Sequence, residues 1–284
     1  MTAAEKEDSL RGVLRGLERV IVAFSGGVDS TYLAFCAHEA LGPEAEAVTA
    51  RSPSLAPAEL DDAYRLARTI GIRHRVIETE EHLRPGYAAN GPDRCYFCKT
   101  ELFDATALLA GDARAVVVDG FNADDFGDHR PGHRAASEHA VRHPLAEVGL
   151  TKAEIRERSR HHRLPTWNKP QLACLASRVP YGMTVTPERL ERVAQLEAVL
   201  RDLEFTDVRA RLVKDDDTMV RIEVGESEIA RLVEPERRER VVKSARELGF
   251  RFVTLDLEGF RSGRMNDALV TLPGQPGGVL SARK

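Results

Sequence analysis

The chain of 284 residues carries 41 basic and 45 acidic side chains, a net charge of −4, with 42% hydrophobic and 30% charged residues. That balance is expected of a globular protein with a sizeable core; it argues against global disorder and against a general nucleic-acid binder, which would show a basic excess. No apolar run approaches about 18 residues, and the acidic start MTAAEKEDSL lacks the basic, then apolar, then small-residue order of a signal peptide.

A cytoplasmic protein without membrane contact is therefore expected, and its four cysteines suit metal, redox or core roles better than a disulfide framework. RVIVAFS (19–25) is a continuous apolar run of strand length, and TYLAFCAHEALG (31–42) reads as a helix closed by glycine. AEAVTA (45–50) is the next strand; PAELDDAYRLARTIG (57–71) is a helix opened by proline and closed by glycine. The strand HRVIET (74–79), a helix around KTELFDATALLA (99–110) and the strand RAVVVDG (114–120) continue the alternation. Apolar strands separated by helices predict a doubly wound, parallel α/β sheet whose ligands bind beyond the carboxyl ends of its strands.

The rhythm changes near Tyr181 and Gly182. A helix over 186–203, two strands over 207–213 and 219–224 joined by the acidic turn KDDDT, one helix from Glu226 to about Leu248 and a strand FRFVTLDL predict a small α+β domain. The expected domains are residues 1–182, residues 183–265 for the substrate and oligomer contacts, and a proline- and glycine-rich flexible tail over 266–284.

Residues 25–30, Ser-Gly-Gly-Val-Asp-Ser, fall at the first strand-to-helix turn, where unpaired backbone amides and the helix dipole favour an anion. Gly26 and Gly27 let the backbone approach phosphate oxygens, Ser25 and Ser30 can donate hydroxyl hydrogen bonds, and Asp29 can hold magnesium. The bland alternative is a tight turn that only joins strand to helix. The spacing is neither that of a P-loop nor of a dinucleotide fingerprint. It resembles the pyrophosphate loop of the ATP-pyrophosphatase (PP-loop) superfamily, whose members cleave ATP between the α- and β-phosphates and transfer AMP to a carbonyl or carboxyl oxygen. VVVDGFNADDFGD (116–128) adds Gly120, Asn122, Asp124 and Asp125 beyond a second strand end, where nucleotide and magnesium contacts are expected, although the two aspartates could equally form a solvated turn.

Cysteine placement narrows the chemistry. Cys95 and Cys98 form a Cys-x-x-Cys pair, Cys174 stands in a loop of turn-forming and small residues, and Cys36 lies on an apolar helix face, where a core role is expected. A lone Cys-x-x-Cys is a weak signal, since zinc and redox sites also use it. His129, His133, His139 and His143 share no metal-ligand spacing and read as structural or solvated.

The stretches SGGVDST, RCYFCK, FNADDFGDHRPG, VRHPLAEVGLTKAEIR, LPTWNKPQLACLASRVPYG and TPERL, spread over about residues 20–195, together resemble the LarE family. These are ATP-dependent sacrificial sulfur transferases of nickel-pincer cofactor biosynthesis. The resemblance implies ATP and magnesium, a pyridinium dicarboxylate mononucleotide as substrate, and adenylation of a carboxylate that becomes a thiocarboxylate. It also implies a homo-oligomer, with a hexamer as one assembly.

In single-cysteine members the residue matching Cys174 attacks the adenylate and loses its sulfur; in three-cysteine members the resemblance implies a [4Fe-4S] cluster carrying extra sulfide. Cys95, Cys98 and Cys174 depart from the single-cysteine pattern and suit a cluster with one open iron. Zinc, a redox pair and a purely sacrificial Cys174 remain open alternatives. The physiological sulfide donor is unassigned. Arg209 and Arg211, two apart on one strand face, match a substrate-phosphate site that the resemblance puts in the small domain, though an exposed polar face is the plain reading. Ser177, Arg178, Glu197, Glu223 and Arg261 are weaker candidates for that pocket. Competing readings are an ammonia-dependent synthetase of the NAD or GMP type, a tRNA-thiolating enzyme, and a non-catalytic nucleotide-binding module with structural zinc.

Overall fold

The computed structural model of the chain describes residues 1–127, 131–170 and 173–261. Its elements divide into two compact units: Met1–Ala176 with Tyr181–Leu190, and Ser177–Pro180 with the chain from Glu191 onward.

In the first unit the elements run α1 (Ala3–Gly16), β1 (Val20–Ala23), α2 (Val28–Leu41), β2 (Ala45–Arg51), α3 (Pro57–Ile70), β3 (Arg73–Glu78), α4 (Pro85–Ala88), α5 (Arg94–Ala113), β4 (Val116–Val118), α6 (Pro131–Glu138), α7 (Pro144–Glu147) and α8 (Lys152–His161). The four strands form one parallel sheet in the order β3-β2-β1-β4. This is the doubly wound α/β arrangement that the apolar runs predict, and residue alternation builds its two faces. Val20 and Val22 of β1 join Leu10, Tyr32, Leu33 and Ile155 in one core, whereas Ile21 and Ala23 join Phe103, Val117 and Ala135 in the other. Cys36 belongs to the first core and is fully buried, as expected.

Helix α1 goes unread in the sequence because the opening residues look merely acidic. A capping box secures it: the Thr2 hydroxyl accepts from the Glu5 amide, and the Glu5 carboxylate accepts from the Thr2 amide. Leu10 and Leu14 then face the core.

In the second unit α9 (Pro187–Asp202) is followed by the hairpin β5 (Arg209–Val213) and β6 (Asp216–Glu223), then α10 (Ile229–Leu232), α11 (Pro235–Glu247) and β7 (Phe252–Leu255). The hairpin pairs antiparallel with Arg209 opposite Glu223, and β7 adds to β6 in parallel. The single helix expected from Glu226 to about Leu248 is instead a short turn, α10 and α11. Pro235 starts α11 at a position where it needs no amide donor and holds the preceding residue extended, so a continuous helix cannot pass it. The tail expected over 266–284 lies outside the described residues, as does His129. No helix among the described residues is long and apolar enough to cross a membrane.

Candidate active site

The loop at residues 25–30 joins β1 to α2. Gly26 has φ +67°, a backbone that favours glycine, and Gly27 caps α2 without any side-chain hydrogen bond. The first-turn amides of α2 are thus left for an anion. Within the loop the Ser25 and Ser30 hydroxyls stand 3.1 Å apart, and the Ser30 hydroxyl also lies 3.4 Å from the Gly27 carbonyl oxygen. Gly120, just past β4, fits against this turn because it lacks a side chain: a Cβ there would stand 2.9 Å from the Ser30 nitrogen.

Two lysines that the sequence reading left unassigned reach the same turn. Lys152, first residue of α8, donates its ammonium to Asp29 and its amide to Asp124 Oδ2 at 2.8 Å. Lys169 donates to the Gly26 carbonyl at 3.0 Å and to Asp62 at 3.2 Å. Asp29 Oδ1 is buried and has no hydrogen-bond partner. The sequence signals for Lys152 are its place in VRHPLAEVGLTKAEIR and directly after Thr151, whose capping box with Glu154 starts α8.

Asn122, Asp124 and Asp125 form a compact turn. The Asn122 amide donates to Asp125 Oδ2 at 3.0 Å, and the Asp124 amide donates to Asn122 Oδ1 at 3.0 Å. Asp125 is buried and Asp124 exposed. His143 meets buried Asp119 through Nδ1 at 2.7 Å and stacks on His133 with ring centroids 5.3 Å apart. His139 pairs with Asp104.

Cys95 and Cys98 occupy the first turn of α5, while Cys174 precedes the short turn Leu175–Arg178. Cys95 and Cys174 are exposed; Cys98 is half-buried. Cys95 and Cys98 both sense the charge of Cys174. Partial desolvation, followed by the charge of Cys174, pushes the Cys95 thiol up, and Cys98 is raised by burial, then by Glu81 and Cys174. Among the described residues, however, no three His, Cys, Asp or Glu side chains stand close enough to hold a metal ion. The loop carrying Cys174 is fixed by the Leu175 amide, which donates to the Ser54 carbonyl at 3.0 Å. Buried Arg94 donates to the Ala176 carbonyl at 2.9 Å. Buried Glu81 accepts from the Ser52 hydroxyl at 2.5 Å, and Ser54 hydrogen-bonds buried Tyr87. The sequence gives Glu81 no motif, and it gives Arg94 only its place at the head of RCYFCK, without a role.

In the second unit, Arg178 and Glu197 form a buried two-pronged ion pair at 2.8 and 3.0 Å, and the Arg178 guanidinium also donates to the Ser177 hydroxyl at 2.9 Å. Arg201 and the Ala210 amide also donate to Glu197. Arg211 donates to Glu223 at 2.7 Å and to the Ser177 carbonyl at 2.8 Å. Arg209 is buried beneath Phe260, with its guanidinium carbon 4.6 Å from the ring centroid; no carboxylate among the described residues forms an ion pair with it. Burial, then the neighbouring guanidinium of Arg178, lowers its pKa to about 10. Arg209 and Arg211 are thus buried rather than displayed on an exposed strand face. Arg261 is exposed and pairs with Glu258.

A parallel sheet with a glycine-rich phosphate loop after its first strand defines an α/β nucleotide enzyme of the PP-loop type. A family model described as Asparagine synthase matches residues 5–90, which include that loop. The chain is 44% identical to an uncharacterized protein of Synechocystis over 93% of this chain and 98% of the relative. It is 37% identical to the Pyridinium-3,5-bisthiocarboxylic acid mononucleotide synthase of Lactiplantibacillus plantarum, over 94% of this chain and 96% of that protein. A shorter match, 38% identical over 27% of this chain, reaches 14% of the Glutamine-dependent NAD(+) synthetase of Aquifex aeolicus. The chain belongs to the LarE family.

Proposed function

We propose that this chain is an ATP-dependent sulfur transferase that adenylates a carboxylate of a pyridinium dicarboxylate mononucleotide and converts it to a thiocarboxylate. The near full-length similarity to a mononucleotide synthase supports the substrate. The observation that carries the sulfur chemistry is the Arg94 hydrogen bond to the Ala176 carbonyl at 2.9 Å, which ties the Cys174 loop to the start of α5 bearing Cys95 and Cys98, 76 positions earlier in sequence at Cys98.

In this reading Ser25, Gly26, Gly27, Ser30 and the first amides of α2 hold ATP phosphates, with Lys152 and Lys169 offsetting their charge. Asp29, whose Oδ1 is a buried oxygen without a partner, fits a magnesium ligand. Gly120 keeps the next strand end clear, while Asp124 and Asp125 set the adjoining turn. The substrate carboxylate attacks the α-phosphorus, pyrophosphate leaves, and the acyl-adenylate acquires a leaving group that a bare carboxylate lacks. In the sacrificial alternative, the Cys174 thiolate attacks the acyl carbon, AMP departs, and loss of the Cα proton with cleavage of the Cβ–S bond leaves dehydroalanine and the thiocarboxylate after one turnover.

The three thiols have the donor chemistry for a [4Fe-4S] cluster with one open iron, and the buried charge of Arg94 suits an anionic assembly. When bound, such a cluster would supply sulfide and spare the cysteine side chain. Ser177, Arg178, Arg209 and Arg211 hold the substrate phosphate, with Glu197 and Glu223 orienting the guanidinium groups. The buried charge of Arg209, which forms no ion pair among the described residues, supports that role; exposed Arg261 is left as a peripheral contact.

The decisive experiment measures pyrophosphate release with ATP and the mononucleotide, before and after anaerobic iron and sulfide reconstitution. Substrate-dependent pyrophosphate, about four irons per chain and repeated turnover with sulfide are expected. Pyrophosphate release driven by ammonia alone would overturn the reading. Absence of iron with a loss of about 34 Da at Cys174 would keep the transferase and exclude the cluster.

A further inference from the structure

Arg94 carries a buried charge for which the phosphate assignment supplies no partner. The residue is 4% exposed, yet no carboxylate among the described residues pairs with it. It donates to Asn90 Oδ1 at 2.5 Å and to the Ala176 carbonyl at 2.9 Å, both neutral acceptors. A buried cation facing neutral groups alone is costly, and arginine cannot shed its charge at working pH. The ionisable groups it feels are Cys174, then Cys95, Tyr87 and Tyr181. Burial keeps the Tyr87 phenol protonated, and desolvation raises Tyr181 as well. Sulfur is left as the counter-charge.

The backbone around Arg94 joins two distant stretches of the first unit. Asn90 sits at φ +54°; its side-chain amide donates to the Met183 carbonyl at 3.0 Å, and its own carbonyl accepts from Gly182 at 3.0 Å. Arg94 adds the link to Ala176, two residues beyond Cys174, and stands next to Cys95 in α5.

We propose that Arg94 is a positioning residue of the sulfur centre: it fastens the Cys174 loop to the cysteine-bearing turn of α5 and supplies the permanent positive charge required by anionic sulfur held there, whether hydrosulfide, persulfide or thiolate. The proposal rests on the sulfur-transfer reading but can be tested apart from it.

The test compares alkylation of Cys174 by iodoacetate and iodoacetamide, followed by peptide mass spectrometry. Both reagents consume the same thiolate, so their rate ratio cancels the fraction ionised and reads the local charge. Arg94→Gln should lower the iodoacetate preference about fivefold, as expected for removing one nearby, partly screened charge. Arg94→Lys should restore more than half of it, an outcome that loss of packing alone would not produce. Reading Cys174 separates this effect from Lys99, whose charge falls on Cys95 and Cys98. Sulfur transfer should fall about 100-fold in Arg94→Gln and recover about tenfold in Arg94→Lys, the scale expected from a misplaced reacting group.

A cooperative melt of Arg94→Gln checks its fold. If that variant does not fold, Asn90→Gly, which keeps the positive φ but removes the acceptor orienting Arg94, should lower the ratio about twofold. An unchanged ratio in whichever folded variant is read overturns the proposal. A wild-type protein that transfers no sulfur but shows the ratio change would overturn the functional reading and leave the charge assignment standing.

Discussion

Glu7 illustrates how one side chain can secure an element whose importance is invisible in composition. Its carboxylate is 2% exposed and accepts from Tyr32 at 2.6 Å, from Arg158 at 2.8 Å and from His162 at 2.9 Å. Burial works against its charge, but hydrogen bonds from Arg158, Tyr32 and His162 outweigh that penalty and hold its pKa near 2. The folded value lies below the unfolded one, so this stabilisation is present above about pH 4.5 and disappears as pH falls toward 2. Glu7→Gln should therefore cost about 2 kcal/mol at pH 7, with a smaller difference at pH 3, measured by urea unfolding at both values. Sequence alone shows only the local partner, Arg11 four positions on at 2.8 Å, because Tyr32, Arg158 and His162 lie 25 to 155 positions away. Gly120 differs: its position beyond a strand end is readable, but its reason is not. Adding a methyl group would press on the Ser30 backbone, which has little freedom to yield. Gly120→Ala should reduce ATP-dependent pyrophosphate release at least about 100-fold, roughly what displaced phosphate donors cost; activity within a few-fold of wild type would detach Gly120 from the nucleotide site.

At the scale of elements, the strands were legible because both sides of the sheet are covered, giving β1 its unbroken apolar run. Helix α3 was legible from its opening proline and its closing Gly71, at φ +85°. Helix α1 and the interruption before α11 are not legible in the sequence: the first depends on a cap rather than a strong apolar pattern, and the second on Pro235 outweighing helix-forming neighbours. The two capping boxes provide a matched test. Thr2→Ala on α1 and Thr151→Ala on α8 should each lower stability by about 1 kcal/mol. Only Thr151→Ala should also raise the Michaelis constant for ATP, because α8 carries Lys152 to the phosphate turn at its first residue. Urea melts and ATP kinetics of the pair check both halves, and an equal ATP effect from Thr2→Ala would remove the special role of α8.

For the whole molecule, alternating strands and helices were enough to read the architecture, whereas the candidate centre depends on long-range convergence. Cys98 and Cys174 cannot be related by any local periodicity; the fold brings them within electrostatic reach, and the Arg94 link explains how the later loop is held there. In the proposed reaction the same separation would apply to the chemistry: phosphate recognition would use the β1–α2 turn and sulfur α5 and the Cys174 loop, while the buried arginine group belongs to the second unit.

If these are distinct tasks, they should fail separately. Cys174→Ser should retain substrate-dependent pyrophosphate release while sulfur transfer falls below about 1% of wild type, because the hydroxyl lacks a readily formed thiolate. Arg209→Ala should raise the Michaelis constant for the mononucleotide at least about tenfold while changing that for ATP less than about twofold, as expected for removing one charge-assisted phosphate contact. Steady-state pyrophosphate assays with each ligand varied in turn, alongside mass spectrometry of the product, distinguish these outcomes. Loss of pyrophosphate release in Cys174→Ser would make the cysteine part of adenylation, and equal loss of both ligands in Arg209→Ala would return that arginine to a purely structural role.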